Sequence, residues 1–251
     1  MTIRIGLTLP SFVDDPETPI AVAQAAERAG IDGVFVYDHL WRGDPPNRRP
    51  ALECFALYGA VAAETERVQV GTLVARATLR PPATLANAYL TAHRVSGGRL
   101  IAAIGSGDSQ SREENEAFGI GFGSMVDRVA ALHDSVRAAA GNGYPVWVGG
   151  RAAQVRQIVA VADAWNMWGS EPEVFAAEAA LVREVAPGAE LTWGGLARPL
   201  EEGAVALAER LRPYADVGAS WLVVGPVDSS NPDNAAVVGE VREILNASAT
   251  R

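Results

Sequence analysis

The sequence contains no lysine; all 21 of its basic residues are arginine. Schiff-base catalysis needs a lysine amine, so aldolases of that kind are excluded. A Walker A phosphate loop is excluded as well, because it ends in Gly-Lys followed by Ser or Thr. Histidine is nearly as scarce: His39, His93 and His133 are the only three, and no two have helical metal-ligand spacing, so no metal site is expected. The lone cysteine, Cys54, cannot form an intramolecular disulfide and fits a reducing compartment. No apolar run reaches the roughly 18 residues that a membrane-spanning helix needs. A formal net charge of −9 argues against a general affinity for nucleic acid or anionic membranes. The segment Met1 to Pro10 reads as a strand and not as a signal peptide, so a cytoplasmic protein is expected.

What is present is a repeated rhythm. The chain has 251 residues, 49% hydrophobic and 20% charged, a length that accommodates eight strand–helix units and little more. Short apolar runs predict strands at Ile3–Leu9, Gly33–Tyr37, Val68–Val74, Leu100–Gly105, Val146–Val148, Ala164–Met167, Leu191–Gly194 and Trp221–Val224. Helical patterns fill the gaps. One starts at Thr18-Pro19 and ends at Gly30, and others cover Leu52–Glu64, Pro82–Val95 and Met125–Ala139; the last begins at Asn231-Pro232. Ser170-Glu171-Pro172-Glu173 has the pattern of a capping box directly after a strand, so that loop is nearly absent. Strict alternation argues for a parallel sheet, and eight units favour closure into one (β/α)₈ barrel over residues 1–251; an open doubly wound sheet is the alternative.

In such a barrel the chemistry lies just past the strand C-termini. The second strand ends in Tyr37-Asp38-His39-Leu40-Trp41, where an imidazole beside a carboxylate can orient and protonate a reacting group; a polar strand end with a turn-capping Asp and a partly solvated His is the other reading. The fourth ends in Gly105-Ser106-Gly107-Asp108, whose glycines allow close backbone approach to a ligand; a plain turn with a solvated Asp explains it equally well. The fifth runs through Gly149-Gly150-Arg151 into a helix, where bare amides and an arginine can cradle a phosphate; a simple strand-to-helix turn is the other reading. In Trp165-Asn166-Met167-Trp168, alternation buries one indole and turns the other inward. His93 and His133 fall on outer helices and read as structural.

Together these segments resemble the luciferase-like monooxygenase superfamily, in particular its coenzyme F420-dependent oxidoreductases. The likeness is carried by Ile5-Gly6-Leu7, Ala29-Gly30 through Asp38-His39, Val70-Gly71-Thr72, Ser96-Gly97-Gly98-Arg99-Leu100, Ile104 to Gly107, Pro145 to Gly150 and Ala162 to Asn166. The resemblance implies a TIM barrel enzyme, homodimeric, acting on a small molecule by hydride transfer to or from F420. It implies that His39 stands beside the deazaflavin ring as proton donor, and that Asp38 contacts the ring or its ribityl chain. Asp108 would replace the glutamate of the sugar-phosphate dehydrogenases of this group. Leu73-Val74 would form a non-prolyl cis peptide behind the ring, Ser106, Gly107 and Trp168 would line the cofactor, and Gly149, Gly150 and Arg151 would hold its phosphate. Arg76 departs from the pattern, standing where those dehydrogenases carry a small hydroxyl residue. Two other readings are an FMN-dependent monooxygenase and a non-catalytic flavin- or deazaflavin-binding protein.

Overall fold

A computed structural model describes residues 2–43, 48–108 and 111–247. Its eight barrel strands are β1 (Arg4–Thr8), β2 (Gly33–Val36), β3 (Gln69–Thr72, resuming as Ala75–Arg76), β4 (Leu100–Gly105), β5 (Val146–Gly149), β6 (Ala164–Trp168), β7 (Glu190–Ala197) and β8 (Ala219–Pro226). All pair in parallel, and the ring closes where β3 meets β2 on one side and β4 on the other. The strands read as near-continuous apolar runs because both faces are covered, one by the barrel interior and one by helices.

The helices are α1 (Glu17–Arg28), α2 (Cys54–Ala63), α3 (Pro82–Val95), α4 (Ser111–Ala117), α5 (Met125–Ala139), α6 (Ala152–Val159), α7 (Pro172–Val185), α8 (Pro199–Glu202), α9 (Ala204–Val217) and α10 (Asn234–Ala247). None among the described residues is long and apolar enough to cross a membrane. Residues with helical spacing on their inner faces bury against the strands, as Val22 and Ala26 do on α1. Trp165 faces this outer layer and stacks on Phe175 at 5.4 Å.

Inside the barrel, Phe35, Trp147 and Trp221 form a cluster with ring centroids 5.5–6.0 Å apart. The Phe35 ring occupies space left by two missing side chains: a Cβ on Gly6 or Gly71 would lie 2.6 or 2.7 Å from its carbons. This plug fills the lower barrel and leaves the C-terminal mouth as the place for a ligand.

Three local expectations need correction. The capping box at Ser170 does not form. The N-cap of α7 is Glu171, followed by Pro172, while the Ser170 carbonyl accepts from Trp193 Nε1 at 3.1 Å and Tyr214 OH at 2.6 Å. The last helix starts at Asn234, because Asn231 Oδ1 first takes the Asp233 amide in a turn. The third strand does not stop at Val74; it resumes beyond an interruption at Leu73-Val74 and pairs again with β4 through Ala75 and Arg76. A short antiparallel ladder between Trp41–Arg42 and Arg49–Pro50 had no sequence signal.

Candidate functional site

A cavity of about 620 Å³ opens at the C-terminal ends of the strands, a size typical of small-molecule sites. Its floor is Val74. The Leu73-Val74 peptide is cis, and the Val74 side chain lies against β4 and β5, where only glycine leaves room. A Cβ on Gly105 would be 2.5 Å from Val74 Cγ2, and one on Gly149 would be 2.8 Å from Cγ1. Opposite, the indole of Trp168 lies across Gly194 and Gly225, whose added Cβ atoms would meet it at 2.5 and 3.0 Å. Trp168 is 39% exposed and makes an edge contact with Tyr37 at 6.4 Å.

His39 stands on the wall of this cavity and on that of an adjoining cleft of about 810 Å³, which Phe12, Trp41, Arg42 and Leu196 also line. Its ring packs against Phe12 at 5.8 Å and Tyr37 at 6.5 Å. Nδ1 lies 3.1 Å from Oε2 of Glu114, a carboxylate only 3% exposed. The other Glu114 oxygen accepts the Leu40 amide. Arg76, equally buried, grips both oxygens: Nη1 to Oε2 at 3.1 Å and Nη2 to Oε1 at 2.9 Å. Its remaining donors reach the Asp38 carbonyl at 2.7 Å and Asn115 Oδ1 at 3.1 Å. Burial alone would push the Glu114 carboxyl up, but the His39 bond, the Leu40 amide and the Arg76 charge hold it below its ordinary value.

Asp38 belongs to the same network. Its carboxylate accepts the Arg76 amide at 2.9 Å and Arg80 Nη1 at 2.7 Å, and Arg80 continues to Glu53 at 2.6 Å. Burial opposes the charge on Arg80, and the carboxylates of Asp38 and Glu53 override it and raise its pKa. Asp38 is therefore buried beneath the mouth and is absent from the cavity lining, unlike the other sequence-derived candidates. Leu73, Val74, Ser106, Gly107, Asp108, Gly149, Gly150, Arg151 and Trp168 all reach that lining with His39. Asp108 is exposed and caps α4, accepting the Ser111 amide at 3.0 Å and its hydroxyl at 2.9 Å. Arg151, 60% exposed, pairs through Nε with Glu178 at 3.0 Å, and Glu178 accepts the first amide of α6 from Ala152 at 2.5 Å. The end of α6 thus carries a carboxylate beside the expected phosphate cradle.

Glu114 went unread in the sequence because Ser111–Ala117 looks like a solvated charge run. The buried members of that helix, Ser111, Glu114 and Asn115, fall at helical spacing, and that spacing was the available signal. His93, on α3, tilts against Tyr144 at 5.4 Å, and His133 is half-buried beside Asp134; neither lines the cavity. Among the described residues no cluster of His, Cys, Asp and Glu could hold a metal ion.

A family model described as luciferase-like monooxygenase matches residues 3–141. The chain is 32% identical over 152 residues to the F420-dependent glucose-6-phosphate dehydrogenase of Nakamurella multipartita, covering 59% of this chain and 42% of that protein. To the enzyme of the same name from Beutenbergia cavernae it is 36% identical over 141 residues, covering 53% and 39%. The chain therefore spans about two fifths of the length of the curated relatives it matches. Among solved structures, an F420-dependent secondary alcohol dehydrogenase in complex with an F420-acetone adduct superposes with a TM-score of 0.82 at 15% identity, over 98% of this chain and 99% of that one. At that identity the likeness is one of fold.

Proposed function

The chain belongs to the luciferase-like monooxygenase family, and from that premise we propose that it is an oxidoreductase exchanging a hydride between coenzyme F420 and a small organic molecule. One observation carries this reading. His39 stands on the wall common to two adjoining volumes, one floored by Val74 and one lined by Phe12, Trp41 and Arg42, so that a carrier and its reaction partner can meet beside an imidazole. The names of the similar dehydrogenases support F420 as the carrier. When bound, F420 supplies a ring that accepts or returns a hydride.

The residues present fit that group. The flat apolar floor at Leu73-Val74 and the indole of Trp168 suit a fused ring, while Ser106 and Gly107 provide a wall without bulk; Gly107 holds φ +73°. The Gly150 amide donates to the Asn166 carbonyl at 3.1 Å and the Ala152 amide to Glu178, so Gly149 and Gly150 would give the phosphate room and Arg151 would supply the charge that holds it. Asp38 would act from below, fixing the loop that carries His39. His39 would take up the hydroxyl proton as the carbon bearing that hydroxyl gives its hydride to the carrier, or return the proton in the reverse direction, and the exposed carboxylate of Asp108 would assist at the same mouth. The buried, unpaired Cys54 supports a cytoplasmic setting, and the assembly proposed is a homodimer.

The test is a fluorescence titration of the purified protein with F420 and with FMN in the same buffer, followed by a screen of alcohols, aldehydes and sugar phosphates with whichever binds. Tighter binding of F420 and turnover of a panel member are expected. Equal or tighter FMN binding would move the chain to the flavin monooxygenases; binding without turnover would favour a non-catalytic carrier.

A further inference from the structure

We propose that Glu114, clamped by Arg76, is the positioning residue for His39: it fixes the neutral imidazole as the Nδ1–H tautomer and delivers Nε2 to the cavity. The inference rests on the hydride-transfer reading for its purpose, but its geometry is independent of any cofactor.

Glu114 has no freedom to do otherwise. Both oxygens are held by Arg76, and one of them also accepts the Leu40 amide, so neither can turn away from the loop. Its carboxyl is held below its ordinary value and is therefore ionised at neutral pH, an acceptor without a proton to give. An imidazole nitrogen 3.1 Å from such an oxygen has to be the donor, which assigns the proton to Nδ1. Phe12 and Tyr37 restrict the ring from its sides, and Nε2 has no hydrogen-bond partner among the described residues. That leaves Nε2 with a lone pair toward the cavity when neutral and a proton to donate when charged. Glu114 offsets the charge in the second state, and Arg76 offsets the standing charge of Glu114, so the cycle proceeds without an unpaired ion in the buried layer.

Arg76 has a second consequence. Its own bonds to the Asp38 carbonyl and Asn115 tie β2, β3 and α4 together, so the carboxylate is aimed by three elements at once. A merely structural ion pair would also join these elements, but it would have no preference for one nitrogen of His39.

The experiment is nitrogen NMR of the imidazoles in the cofactor-free full chain at a pH where all are neutral; only three histidines contribute. The wild-type His39 signals are expected to show Nδ1 protonated and Nε2 bare. In E114Q the carboxamide oxygen stays on the Leu40 amide and the NH₂ faces His39, so the tautomer inverts while the His93 and His133 signals stay in place. Should E114Q fail to fold for want of a counter-charge to Arg76, the R76Q/E114Q pair, which removes both charges, makes the same comparison. With cofactor prebound, the variant that folds is expected to transfer hydride about tenfold to a hundredfold more slowly. A wild-type His39 protonated on Nε2, or a tautomer unmoved by either variant, overturns the positioning role. The expected tautomers in a chain that turns over nothing with F420 would sink the hydride-transfer reading and leave the positioning intact.

Discussion

The floor of the cavity offers the sharpest test of whether its glycines are there for space. In G105A the new Cβ would be 2.5 Å from Val74 Cγ2, whereas two carbons rest at about 3.5–4.0 Å. Val74 must therefore retreat by about 1 Å. It cannot move toward β5, since its other methyl already fills the space left by Gly149. The open direction is upward into the cavity. Overpacking of this kind costs about 1–3 kcal/mol, and the raised floor should weaken cofactor binding about tenfold. Urea unfolding followed by circular dichroism reads the first effect, and fluorescence titration the second. The decisive measurement is the double-mutant cycle with V74A, which removes both offending methyls. A coupling of about 1–3 kcal/mol is expected, so that G105A costs little in the V74A background. If G105A costs the same in both backgrounds, the clash with Val74 is not its cause and the account of the floor is wrong.

In single-turnover assays with cofactor prebound, H39A should lose about a hundredfold to ten-thousandfold in rate with only a modest change in affinity, and D108N should lose less; a wild-type rate for H39A would make the residue a wall of the cavity. R151A should weaken cofactor binding by about 1–3 kcal/mol if the guanidinium meets the phosphate, and an unchanged titration would mean that its pairing with Glu178 is its whole role. Glu114 gives up its proton more readily in the folded chain than in the unfolded one, so its stabilisation is full above the ordinary carboxylate range near ~4.3 and fades as pH falls through the lowered folded value. The difference in Tm between wild type and E114Q should accordingly shrink in acid; a difference that stays undiminished, or grows, as pH falls below the ordinary carboxylate range would contradict that sign.

The alternation of strands and helices was legible because each unit is local: a run of apolar residues such as Leu100–Gly105 has to be buried on both faces wherever it falls. Strand ends were equally legible, so His39, Asp108 and Gly149 could be placed on one rim from the sequence, and all three line one cavity. What could not be read was pairing at a distance. The resemblance made Asp38 a ligand contact, and nothing near it in sequence shows that Arg80, 42 residues on, pairs with its Oδ2. Arg76 looked like a departure from a pattern, and Glu114, 38 residues beyond it, gave no signal of its own; only the fold brings their charges within 2.9 Å and into a layer where neither can remain alone. The capping box at Ser170 failed for a related reason: two tertiary donors, the Trp193 indole and the Tyr214 hydroxyl, hold the Ser170 carbonyl outside a helix whose N-cap is Glu171.

The ion network beneath the mouth also divides the rim into two halves of different character. The loops that follow β2, β3 and β4 are bolted to one another through Arg76, Asp38 and Arg80, and a change in any of these residues disturbs the others. The half that follows β6 and β7 carries Trp168 and Leu196, both exposed, with only residues 169–171 between β6 and α7. Such a rim can be re-cut on one side without disturbing the ion network on the other. Libraries aimed at Trp168, Gly169 and Leu196 should therefore yield folded variants with altered preference far more often than libraries aimed at Arg76 or Asp38. On the proposed reading, the first half would hold the groups that move the proton, and the second would be where the choice of small molecule is adjusted.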